Sequence, residues 1–191
     1  MYGLTIAAGQ LDPAALAANQ VAAQLWAVTS YLCDGFADVG TMLGGAMVGR
    51  GDWADLRTLA RLLVACGSVT GLVVGAVLGT SPTAIQHLFT RDPATLKHLN
   101  SGLWWLLVGM QPVNALVFVY DGLLYAVQAF AFKRNIVALG GFGVYLPVLL
   151  VAILGPTRAT LLFVWLAYAG LTAVRFVGAV WQFGMLLRRP A

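Results

Sequence analysis

Two aspartates one helical turn apart, Asp34 and Asp38, lie inside the apolar run from Gln20 to Arg50 (QVAAQLWAVTSYLCDGFADVGTMLGGAMVGR). A spacing of four places both carboxylates on one face of a helix. An ionised carboxylate in a bilayer costs about 3 kcal/mol or more, so such residues mark a functional site by default. Two like charges that close in low dielectric resist ionising together, so the pair is able to hold a proton. Asp34 and Asp38 are therefore the candidates for ion coupling. The structural alternative is that both accept hydrogen bonds from neighbouring helices.

A second set lies in a later apolar run. Gln111, Asn114 and Asp121 fall, with position 118, at helical spacing on one side. Beside them Pro112 removes a backbone donor and is expected to kink the helix. A kinked helix with a polar stripe suits a cavity wall, which makes Gln111, Asn114 and Asp121 the candidate solute contacts. The alternatives are amide bonds between helices and, for Asp121 beside Gly122, a cap at the helix end. Arg175, in the last apolar run, needs a carboxylate partner or a route to the interface.

Other chemistry is missing. All seven acidic residues are Asp, so any Glu-based centre is excluded. Cys33 and Cys66 sit apart in apolar runs with no CxxC spacing. His87 and His98 lie in a mixed polar stretch with no further ligands nearby. There is no phosphate loop, no GxGxxG and no GxSxG. The run Asp34-Gly35-Phe36-Ala37-Asp38 is faintly similar to the start of a CDP-alcohol phosphotransferase motif, but its Arg and its later aspartates are missing. No catalytic residue, metal ligand or cofactor is expected, and the chain reads as no enzyme. A net charge of +4 with no clustered basic face argues against nucleic acid as a partner.

The elements that position these residues are membrane helices. The 191 residues are 60% hydrophobic and 9% charged, with mean hydropathy +0.85, whereas soluble domains carry about 25% charged residues. The fold class is an all-α integral membrane protein: a polytopic helix bundle of about five transmembrane helices behind an amino-terminal stub. The spans are expected near 19–48, 56–79, 102–125, 135–154 (bent or ended near Pro147) and 159–187, with one or two short interfacial helices over 81–100. Asp12-Pro13 is expected to start a helix as N-cap and N1. Gly71, Gly75 and Gly79 form a small-residue ridge for close helix approach, and Gly40/Gly44 and Gly45/Gly49 repeat the device. The organisation is 1–19 as partial helix and extracytoplasmic linker, 20–187 as the bundle and 188–191 as a cytoplasmic tail. Arg50, Arg57, Arg61, Lys133, Arg134, Arg188 and Arg189 fall at one end against Arg91, Lys97 and Arg158 at the other. That bias makes the first end, with the carboxyl terminus, cytoplasmic. The amino terminus is then outside without a secretory signal, and upstream helices are expected to be missing.

Three runs carry a resemblance: QVAAQLWAVTSYLCDGFADVG, the LFTRDP element, and GMQPVNALVFVYDGLLYA. Over about residues 5–187 the chain resembles the carboxyl-terminal half of MATE (multidrug and toxic compound extrusion) transporters, in the DinF-type branch of plants and algae. The resemblance implies the end of helix 7 and helices 8 to 12, one lobe of a two-lobe, twelve-helix transporter. Asp34, Gln111, Pro112, Asn114 and Asp121 fall in matching runs, whereas Asp38 departs from the branch, which has an apolar residue there. The implied activity is cation-coupled antiport, driven by H+ or Na+, that exports small organic anions or drugs by alternating access. The implied partners are membrane lipid, a small organic solute, and a missing N-terminal lobe or complementary chain. The implied location is multi-pass in the plastid envelope or plasma membrane. The alternatives are a non-transporting half-protein or scaffold and a lipid-linked substrate flippase of the same superfamily.

Overall fold

The computed structural model describes residues 12–154 and 161–188. These residues are helical almost throughout, with no strand among them. The first helix, α1 (Pro13–Arg50), starts as the sequence predicts. Asp12 is extended, its carboxylate accepts the Ala15 N–H at 2.6 Å, and Pro13 takes N1. The helix ends at Gly51 (φ 78), where the Gly51 and Asp52 N–H groups reach the Val48 and Met47 carbonyls. It passes without a break through residue 19, the expected end of the linker.

Helix α2 spans Trp53–Thr80, and the polar stretch after it folds as two short helices, α3 (Pro82–Phe89) and α4 (Pro93–His98). Both begin with proline at N1, and Asp92 caps α4 through the Thr95 N–H at 2.8 Å. A wide turn at Leu99–Leu103, with Gly102 at φ 96, leads into α5 (Trp104–Ala126). After a short turn come α6 (Phe130–Gly140), a second wide turn at Gly141–Tyr145, and α7 (Leu146–Leu154). The last helix is α8 (Leu161–Arg188).

Two expectations shift here. Lys133 and Arg134, read as a loop, lie on the first turns of α6. Near Pro147, where a bend or an end is expected, the helix instead runs on through the wide turn just upstream, Pro147 having no N–H to offer the preceding turn. The expected tail, Arg189 to Ala191, lies outside the described residues, as does the turn at Gly155-Pro156.

Among the described residues four stretches are long and apolar enough to cross a bilayer: Trp53–Thr80, Pro93–Ala126, Phe130–Val151 and Leu161–Leu187. Helix α1, expected as a fifth on the same grounds, falls short because Gln20, Gln24, Asp34 and Asp38 dilute its apolar residues. It is nonetheless 38 residues long, about 57 Å at the α-helical rise. It also runs parallel to α5 across the bundle, from Ser30 beside Asn114 to Gly44 beside Ala126. Its depth in the bilayer is therefore set by α5.

Helix α5 is the centre, packed on α1, α2 and α8. Small residues let its neighbours come close. A Cβ on Gly71 would lie 2.6 Å from Pro112 Cα, so α2 presses its glycine ridge onto the proline turn of α5. One turn on, a Cβ on Gly75 would meet the Val108 carbonyl, which Pro112 leaves without its helical donor. On the other side, a Cβ on Gly122 would run into the Ala37 backbone of α1, 2.7 Å from its Cα. The ridge at Gly71, Gly75 and Gly79 is thus a true helix seam, as is Gly40/Gly44. Gly45 and Gly49 are not: a Cβ on either meets nothing within 4 Å.

Apolar side chains gather in two clusters, one at each end of α5. The first joins Leu25, Trp26, Leu103, Trp104, Leu107 and Trp165. Trp104 Nε1 donates to the Leu78 carbonyl and Trp165 Nε1 to Asn19 Oδ1, so both buried indoles are satisfied. The second joins Leu56, Leu59, Leu63, Val119, Leu123 and Phe183. Between them lies the level of Gly71, Pro112 and Asn114.

Candidate functional site

The polar residues picked from the sequence separate into three environments. Gln111 and Asn114 are buried in the seams of α5. Gln111 Nε2 donates back to the Leu107 carbonyl at 3.0 Å, and Asn114 Nδ2 donates to Ser30 Oγ of α1 at 3.1 Å. Asn114 thus makes the bond between helices that is its structural alternative, whereas the Gln111 bond stays within α5. An unsatisfied amide in an apolar interior costs about 1–3 kcal/mol, and of the two bonds the one from Asn114 to Ser30 fixes the register of α1 on α5.

Asp121 has a different setting. Its Oδ2 accepts from Arg175 Nη2 of α8 at 2.7 Å and lies 3.1 Å from Lys133 Nζ of α6. The carboxylate is 14% exposed, and the two cations are 25% and 16% exposed. Lys133 Nζ also sits 3.7 Å from the centre of the Tyr125 ring, a cation–π contact. Arg175 Nε is buried with no hydrogen-bond partner. The unit ties α5, α6 and α8 together and carries one positive charge in excess. Arg175 finds the carboxylate its position demands. Lys133 escapes a sequence reading because it joins the site across the turn at 127–129, with no helical period to reveal it.

Asp34 and Asp38 stand apart from both sets. They lie one turn apart on α1, as their spacing predicts, Asp34 half-buried and Asp38 exposed. Neither makes a hydrogen bond or ion pair among the described residues. The same stripe continues through Thr41, Gly45 and Gly49 at steps of three or four, all exposed or open. It borders the seam with α5, where the Thr41 hydroxyl donates to the Gly122 carbonyl at 3.3 Å, and it carries two uncompensated carboxylates. No group of three potential metal ligands occurs among the described residues. Among the described residues the pair is accompanied by no nucleophile–base set.

The termini of the site elements are also polar. Asp12 holds the Ala15 N–H and faces His98 Nε2 at 3.3 Å. Its carboxyl lies below the usual range, first because of the Ala15 N–H and then through His98. Asp92 is lowered likewise by the Thr95 hydroxyl and N–H. His98 is thus half of a contact between α4 and the start of α1.

Comparison with known proteins matches the MatE family over residues 3–149. The chain is similar to Protein DETOXIFICATION 44, chloroplastic, of Arabidopsis thaliana, 31% identical over 94% of this chain and 34% of that protein. It is similar also to Protein DETOXIFICATION 45, chloroplastic, of the same plant, 31% identical over 66% of this chain and 23% of that protein. Protein DETOXIFICATION 42 is 32% identical over 61% of this chain and 22% of its own length. The chain thus spans about a quarter to a third of the curated relatives it matches. No solved structure matches significantly.

Proposed function

Since this chain belongs to the MatE family, we propose that it supplies one lobe of a cation-coupled antiporter that exports small organic anions or drugs by alternating access. The observation that carries this reading is the stripe of α1. Its two carboxylates, one half-buried and one exposed, lie unpaired among the described residues in a helix held at bilayer depth, where an uncompensated charge is expensive. Asp34 and Asp38 take and release the coupling ion, H+ or Na+. Asp121 is a poorer candidate, since Arg175 and Lys133 already compensate its charge. The facing lobe, on a longer polypeptide or a complementary chain, covers the stripe in one state and exposes it to water in the other. Gln111, Pro112 and Asn114 hold α5 against α1 and α2 at the level where the lobe must stay rigid. The chloroplastic relatives and the basic end containing Arg57 and Lys133 favour the plastid envelope, with that end facing the compartment of synthesis.

The test is transport by the assembled transporter in proteoliposomes, with Asp34→Asn and Asp38→Asn made singly and together. The double variant is expected to lose the dependence of export on the cation gradient while solute binding persists. Unchanged rate and unchanged gradient dependence would assign both carboxylates a structural role.

A further inference from the structure

A groove of about 450 Å³ lies between α2 and α8 at the basic end of the bundle, floored by Tyr120 of α5. Its inner wall is apolar, formed by Phe183, Gly184 and Leu187 of α8. At its mouth stand Arg57 and Arg61, one turn apart on α2. Arg57 spends Nη2 on the Leu187 carbonyl at 2.7 Å. Arg61 makes no hydrogen bond or ion pair among the described residues, and no carboxylate there pairs with either guanidinium. Two like charges one turn apart repel, so the pair calls for an anion. The rest of the lining is apolar, Ala60, Val64 and Val180, and Val180 is exposed. The groove therefore opens to the bilayer, and its occupant must be anionic at one end and apolar along its length.

We propose that this groove holds one anionic phospholipid, with its phosphate between Arg57 and Arg61 and an acyl chain along Tyr120, Phe183 and Gly184. Arginine suits the phosphate because its planar fork bonds two oxygens at once. The position fits as well. Both arginines lie in the first turns of a spanning helix, at headgroup level, on the end richer in Lys and Arg, and basic pockets between helices at that level recognise anionic headgroups. The lipid bridges α2 and α8, adding to the Arg57 bond to the Leu187 carbonyl and to the apolar cluster the two helices share.

The experiment is native mass spectrometry of the purified chain released from detergent, loaded with phosphatidylglycerol or phosphatidylcholine. One phosphatidylglycerol is expected to remain bound where phosphatidylcholine dissociates. Arg61→Gln, which breaks no bond within the fold, should weaken retention roughly fivefold, and Arg57→Gln with Arg61→Gln roughly thirtyfold. Gly184→Leu fills the slot with both arginines intact, and a Cβ there meets nothing within 4 Å; it should also displace the lipid. Equal retention of both lipids overturns the proposal, as does undiminished phosphatidylglycerol on Arg61→Gln or Gly184→Leu. Displacement of the lipid by soluble glycerol phosphate at matching concentration overturns it too, since the arginines would then hold a free anion without the groove.

Discussion

Replacing Asp121 with Asn should destabilise the bundle more than its single charge implies. Both cations contact the same oxygen, at 2.7 Å from Arg175 and 3.1 Å from Lys133. At an effective dielectric of about 20, each contact has a gross Coulomb attraction of about 5–6 kcal/mol. Burial of each ion costs several kcal/mol in return, so the intact unit is close to balance. Asp121→Asn removes the attraction and leaves the burial cost of two facing cations. The expected loss is about 3–5 kcal/mol, reduced to the extent that Lys133 swings out to water, which its position near the helix end permits. The assay is chemical unfolding in detergent followed by helical circular dichroism, as a double-mutant cycle with Arg175→Gln. The double variant should recover about 1–3 kcal/mol relative to the sum of the singles. A single-variant loss under about 0.5 kcal/mol, with additive behaviour in the cycle, would show that water screens the cluster and that it does not join the three helices.

Two further outcomes follow from the geometry. Gly122→Ala drives a Cβ into the Ala37 backbone, where no rotamer relieves it, and should cost about 3 kcal/mol or more in the same unfolding assay, whereas Gly45→Ala, facing open space, should change it by less than about 0.5 kcal/mol. Asp12 has its carboxyl lowered by the Ala15 N–H and His98, so the cap it provides is fully present above pH 3.8 and is lost as pH falls through its depressed value; amide exchange at Ala15 and Leu16 should accelerate only in that window, and Asp12→Asn should abolish the pH dependence while keeping protection.

Features that depend on spacing along one helix were legible in the sequence. The Asp12-Pro13 start, the ridge at Gly71, Gly75 and Gly79, and the shared face of Asp34 and Asp38 all need only the helical period. Features that depend on which helix lies opposite were not. Gly45 and Gly49 have the spacing of Gly40 and Gly44, but spacing describes a smooth face and says nothing of a neighbour. Asn114 reads equally as cavity wall or interhelical bond until Ser30 is placed beside it. Lys133 reads as loop because charge near a turn imitates one, and only the path of α6 brings it to Asp121. The depth of α1 is the clearest case: its composition falls below that of a free-standing span, and its place comes from the helix alongside.

That dependence has a consequence for biogenesis. A nascent α1 leaves the ribosome with two aspartates and modest apolarity, and its main partner is not made until residues 104–126 have followed it. The free energy that draws a lone segment from translocon to lipid is therefore weak for α1. The contacts that hold it come from α5, which supplies Asn114 for Ser30 and Gly122 for Ala37.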